Sequence, residues 1–215
     1  MISEYPNDSN VYQSKIPQIF GDRALEFRLF YLHSHSLRVE LSGSGTYIEM
    51  FLRAYGRSKA IINFGLGDLK TVTVCLSYYG STPLVSSLSI FRNLRSCGIT
   101  IPKTAEIWQH REEHVFDEDG DLIRTFMCFE IELTQIDLFL WGLLAKELGI
   151  RPRYGCRLYL FDFDRQILFH PYDDRGMDII GNNKVLIKQI YTKFNDWLLD
   201  YDRQVMDEYF QNGLF

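Results

Sequence analysis

From residue 47 onward apolar side chains return every three or four positions, at Tyr47, Met50, Phe51, Ala54, Ile61 and Ile62, with Ser58 in the same series. That step keeps one face of a helix inward, and Gly65 and Gly67 supply its stop. Ahead of it, residues 37–41 read as a strand, and the Ser42-Gly43-Ser44-Gly45-Thr46 turn ends in a threonine suited to capping the helix. Residues 71–78 are β-branched and apolar, the composition of a central strand. Ser81-Thr82-Pro83 then opens a helix expected over 84–96, with proline in the first turn, where its missing N–H is harmless.

Between 107 and 133 two runs flank Asp117-Glu118-Asp119-Gly120, which is turn chemistry for an antiparallel hairpin. The second arm alternates: Ile123, Thr125, Met127, Phe129 and Ile131 share one face, and Leu122, Arg124, Phe126, Cys128 and Glu130 the other. A helix over 136–148 is closed by Gly149 and Pro152. Runs at 157–163, 166–171 and 176–180 imply three further antiparallel strands. Beyond Lys184, a stripe of Leu186, Ile190, Phe194, Leu198, Tyr201, Val205 and Tyr209 predicts one long C-terminal helix lying across the sheet. Residues 1–20, with Pro6 and Pro17, show neither period and are expected to form a loosely ordered arm. The pattern predicts a single α+β domain over residues 1–215, a mainly antiparallel sheet with helices packed against it.

Composition narrows the function more than the fold. A chain of 215 residues with 46% hydrophobic and 24% charged side chains is neither disordered nor collagen-like nor a disulfide framework. Its 28 acidic residues outnumber 23 lysines and arginines, for a formal charge of −5, so no general field draws phosphate backbones and a basic partner is favoured over nucleic acid. The amino-terminal MISEYPNDSNVYQSK has no secretory pattern, and no run approaches the roughly 20 apolar residues that span a bilayer. A cytoplasmic protein without a membrane partner is expected. Cys75, Cys97, Cys128 and Cys156 include no Cys-x-x-Cys pair and are expected to be reduced, buried thiols.

Several strings invite chemistry. Gly43-Ser44-Gly45 lies between a strand and a helix, where a dinucleotide fingerprint would sit, but Ile48 takes the place of the third glycine and a plain loop is expected. His110-Arg111-Glu112-Glu113-His114 has the spacing of an inverted zinc-protease motif, yet it falls on a hairpin arm without a third ligand, so a solvated strand is expected. His33 and His35 read as a polar edge, and neither a nucleophile elbow nor an activated cysteine is visible. The densest string, His170-Pro171-Tyr172-Asp173-Asp174-Arg175-Gly176-Met177-Asp178, reads first as a turn in which an aspartate caps backbone amides, glycine takes a positive φ and arginine satisfies a carboxylate. A second string, 195–203, carries Asp196, Trp197, Asp200 and Asp202. Arg175 is expected to reach Asp196, Asp200 or Asp202 and pin turn to helix.

ILFHPYDDRGMDII and IYTKFNDWLLDYDRQVMDEYF resemble a bacterial family described as domain of unknown function 3885, with weaker similarity around Leu37-Arg38-Val39-Glu40-Leu41. The resemblance implies a bacterial, cytoplasmic protein and a shared fold, and assigns no residue a catalytic role. The residues themselves lead to a non-enzymatic protein-binding module without cofactor or metal, an immunity or antitoxin-like protein that neutralises a basic toxin domain. Its expected docking rim is Asp117, Glu118, Asp119, Asp121, Asp173, Asp174 and Asp178, where negative charge speeds association. The alternative is a metal-assisted hydrolase centred on His170, Asp173, Asp174 and Asp178.

Overall fold

A computed structural model describes residues 11–80, 83–112 and 122–211. Seven strands form one antiparallel sheet in the order β1-β7-β6-β5-β2-β4-β3, confirming an α+β fold. The strands are β1 (Leu37–Glu40), β2 (Thr71–Gly80), β3 (Glu106–Glu112), β4 (Leu122–Glu132), β5 (Arg157–Asp162), β6 (Ile167–Pro171) and β7 (Gly176–Gly181). Two antiparallel groups, β5-β6-β7 with β1 and β2-β4-β3, join where Cys75 of β2 stands opposite Tyr159 of β5. The alternation along β4 is as expected, with Met127, Phe129 and Ile131 in the larger core and Phe126 and Cys128 on the opposite face.

That larger core lies under α3 (Tyr47–Leu66), α5 (Ile136–Leu144) and α6 (Lys184–Lys193), where Leu37, Val39, Val74, Leu76, Phe169 and Ile179 point at the helices. Helix α3 begins at the expected cap: Thr46 accepts from the Glu49 amide while Glu49 reaches back to the Thr46 amide. Helix α4 (Pro83–Ser96) also starts near its proline, and α5 ends at Leu144, four residues before the expected 148.

The second face is covered by a segment that the periodicity did not reveal. Residues 11–20, expected as part of an arm, form helix α1 (Val11–Phe20), followed by the short α2 (Leu29–Leu32). Ile16, Phe20, Ala24 and Leu29 pack on Cys75, Cys128, Tyr159, Phe161, Leu168 and Ile180. Two amides at the start of α1, those of Tyr12 and Gln13, donate to the Glu106 carboxylate of β3 at 2.8 Å each. An acidic residue more than ninety positions away therefore caps the helix, satisfying orphan N–H groups and the positive end of the dipole.

The C-terminal helical region is delivered in two pieces, α6 and α7 (Arg203–Gln211), separated by single turns at Asn195–Trp197 and Asp200–Asp202. Between them the backbone at Leu198 is extended, Leu198 bridges Val39, and the Leu199 amide donates to Arg38 O at 2.9 Å. This interruption covers the open edge of β1, whose unpaired amides would otherwise be a template for another strand. It also shifts the inward face: Met206 and Phe210 are buried, whereas Tyr201 is 87% exposed, contrary to an uninterrupted stripe. All four cysteines are free and buried.

Candidate functional site

Arg38 opens a polar row on the α1 face of the sheet. In register across the strands, Arg38 of β1 stands beside Asp178 of β7, and Asp178 beside His170 of β6. His170 stacks on the Tyr159 ring of β5, with centroids 4.2 Å apart and planes within 6°. Each of these side chains alternates with an apolar neighbour that faces the helices, so period-two strand geometry alone gathers them.

The Arg38 guanidinium is engaged through all three of its nitrogens. Its Nε and Nη2 donate to the two oxygens of Asp178 at 2.8 and 3.0 Å, and its Nη1 donates to Asp202 Oδ2 at 3.2 Å. Asp178 also accepts the Phe30 amide at 3.1 Å, and Asp202 accepts the Tyr31 hydroxyl at 3.0 Å. The rings of Phe30 and Tyr31 lie over the guanidinium, 5.1 and 4.6 Å from its carbon. One side chain thus ties the N-terminal segment, the edge of the sheet and the C-terminal turn together, although burial opposes its charge and only the surrounding acceptors offset that cost.

Arg38 therefore performs the pinning expected of Arg175. Arg175 pairs with Asp173 within its own turn, and its side chain is 76% exposed. The turn itself has the anticipated chemistry: Asp173 Oδ1 accepts the Arg175 amide at 2.8 Å, and the Tyr172 amide bonds to Gly176 O. Gly176, however, is outside the positive-φ glycines and opens β7 instead. Its role is close approach, because a Cβ there would run into the Tyr172 hydroxyl. Of the second string, Asp202 alone joins the buried network. Asp200 is almost wholly exposed beside Arg203, Asp196 is exposed, and Trp197 stacks on Phe194.

The acidic rim is altered in the same way. Asp173, Asp174 and Asp178 are 7%, 2% and 0% exposed, so they are turned inward and do not present a docking surface. Burial, reinforced by Asp173, pushes the Asp174 carboxyl above its ordinary value, while Ser42 hydrogen-bonds to it. His170 Nδ1 lies 2.8 Å from Leu158 O, an arrangement that places a proton on Nδ1, and burial pulls its pKa down to about 4. His170, Asp173, Asp174 and Asp178 thus have separate partners, and among the described residues no three His, Cys, Asp or Glu side chains converge as a metal-ligating group. Asp117, Glu118, Asp119 and Asp121, with Glu113 and His114 of the inverted zinc spacing, lie outside the described residues.

The glycine loop after β1 is filled by protein. Arg53 donates to the carbonyls of Ser42 and Ser44, so the loop turns carbonyl oxygens toward a cation. His35 adopts a left-handed backbone in the turn between α2 and β1, and His33 is partly buried, so the pair does not form a strand edge.

Beside the Arg38 network, at the end of the sheet, a cavity of about 1040 Å³ opens between residues 27–28, the ends of β1, β2 and β5, and the 172–175 turn. Its charges were not visible as a group in the sequence. Arg38 is neutralised by Asp178 and Asp202, Arg175 by Asp173, and Lys146 by Glu147 at 3.0 Å. Arg157, also on its wall, has Phe27 against its guanidinium, 3.1 Å from centroid to carbon, and Tyr79 5.1 Å away. Phe27 and Tyr79 are nearly parallel, 6.3 Å apart. Arg38 and Arg157 escaped sequence reasoning because each alternates with buried neighbours and so reads as the solvated side of a strand.

A family model described as domain of unknown function (DUF3885) matches residues 12–202, and the chain belongs to that family. The matched span runs from α1 to Asp202 and so contains the whole network and the cavity wall. No curated protein and no solved structure matches the chain. Among the described residues no helix is long and apolar enough to cross a membrane.

Proposed function

We propose that this member of the family is a non-enzymatic protein-binding module of the bacterial cytoplasm, of the immunity or antitoxin kind, that neutralises a toxin partner. The observation that supports binding over catalysis is the commitment of reactive groups at the sheet end. Asp178 receives three protein donors, Asp173 is taken by Arg175, and His170 is neutral with Nδ1 engaged. Burial raises the Tyr172 phenol and the thiols of Cys97, Cys128 and Cys156, which suppresses their nucleophilic forms. A general base or nucleophile needs a free lone pair at the operating pH; Asp178 and Asp173 hold theirs against the fold, and His170 keeps one on Nε2 alone. With Asp173, Asp174 and Asp178 turned inward, the residues of the expected acidic rim left for a basic toxin domain are Asp117, Glu118, Asp119 and Asp121.

Co-expression with the product of an adjacent toxin-like reading frame tests the proposal. A stoichiometric complex on gel filtration, loss of toxicity, and weakening by the Asp117→Lys, Asp119→Lys pair are expected. Metal-dependent hydrolysis that disappears in folded Asp173→Ala and Asp174→Ala proteins would instead establish the hydrolase built on His170, Asp173, Asp174 and Asp178.

A further inference from the structure

The end of the sheet holds more positive charge than the protein itself neutralises. Among the described residues, Arg28 and Arg157 border the cavity with no carboxylate within ion-pair distance, while Arg38, Arg175 and Lys146 each have one. The acidic groups on the same wall do not make up the difference. Asp178 and Asp173 are consumed by Arg38 and Arg175, Glu147 by Lys146, and Glu40 sits 3.9 Å from Arg57. Arg157 is the sharper case, because its Nη1 is buried without any hydrogen-bond partner. An unanswered charged donor in that setting is costly to fold around.

We infer that the cavity is a receptor for a small oxyanion ligand, a carboxylate or phosphate compound, with Arg157 as the charged group that grips it and Arg28 at the mouth. Geometry selects this chemistry. Phe27 and Tyr79 lie 3.1 and 5.1 Å from the guanidinium carbon of Arg157, and the polar group that these rings leave for a ligand is its N–H edge. That edge matches the paired oxygens of a carboxylate or phosphate. A further cation is repelled, and a neutral apolar molecule would leave the Arg157 charge on the cavity wall unanswered. The volume of about 1040 Å³ accommodates a small molecule rather than a bare ion. Phe27, half exposed, forms one wall, and it lies next to Arg28, whose backbone is left-handed. The inference is independent of which protein partner the module binds, because none of its residues belongs to the Asp117, Glu118, Asp119 and Asp121 set.

Inorganic phosphate and succinate, titrated by calorimetry against the full chain at ionic strength held constant with chloride, are the probes. Saturable binding of one or both is expected, and the stronger of the two assigns the oxyanion. Arg157→Gln should weaken it about tenfold or more, the scale of hydrogen bonds to a charged group. Arg28→Gln, at an exposed position, should weaken it about threefold. If Arg157→Gln does not fold, Arg28→Gln and Phe27→Ala carry the test, and both must bind more weakly than wild type. Absence of saturation by either anion, or variants that bind as wild type does, overturns the inference.

Discussion

Arg38 and Arg157 share a cavity, a strand setting and an aromatic cover, yet they stand in opposite electrostatic states. Arg38 faces two carboxylates and lies beneath Phe30 and Tyr31, whereas Arg157 lies against Phe27, with Tyr79 farther off, and has no acidic partner. Aromatic packing therefore does not distinguish a structural arginine from a binding one. What separates them is whether the fold supplies the counter-charge. The same contrast divides the aspartates: Asp178 and Asp202 complete a buried network, while Asp173 serves a mostly exposed arginine in its own turn.

The largest expected effect comes from breaking the neutralised side. Asp178→Ala leaves Arg38 buried without its main partner and should cost about 3–5 kcal/mol in urea unfolding. Arg38→Met combined with Asp178→Leu should recover part of that loss, since the central pair is removed together and Asp202, which keeps the Tyr31 hydroxyl, is the carboxylate left without its cation. Next comes pH. Burial lowers the His170 pKa from 6.5 to about 4, so the unfolded chain binds a proton between those values that the folded chain does not. The associated stability is fully present above pH 6.5 and is lost as pH falls toward 4, by about 3 kcal/mol at most. His170→Gln should flatten the stability profile across that window.

A smaller effect is expected where the turn meets β7. Gly176→Ala forces a methyl group against Tyr172 and the Val39 carbonyl, and should cost about 1–3 kcal/mol, with a coupling to Tyr172→Ala that a double-mutant cycle reads directly. Arg175→Ala should change urea stability least, by about 1 kcal/mol or less, because that arginine is mostly in solvent. A loss comparable to that of Asp178→Ala would return the pinning role to Arg175 and remove the basis for the comparison.

How much of this was legible follows from the range of each interaction. The strands at 71–78, 157–163 and 176–180 and the helix after Thr46 declare themselves through period and local caps, and the Asp173 turn through bonds within three residues. Helix α1 does not, because Glu106 caps it from a distant strand and few of its side chains are buried. The interruption of the C-terminal helix is equally invisible: its apolar spacing is sound, but the Leu199 amide is claimed by Arg38 O. At the site, DDRG carried a local signal and drew attention to Arg175. Arg38 carried none, since its carboxylates lie 140 and 164 positions away. Arg157 is marked by the lack of an acidic partner, which only the assembled structure displays.

The account is tested most directly by comparing the urea stabilities of Arg38→Met and Arg157→Met without added oxyanion. Arg38→Met strands Asp178 and Asp202 and should lose several kcal/mol, about 3 or more, whereas Arg157→Met removes an unneutralised charge and should be as stable as wild type or more so. Equal losses in the two proteins would show that Arg157 is as much a structural residue as Arg38, and would contradict the division of the cavity on which the binding site rests.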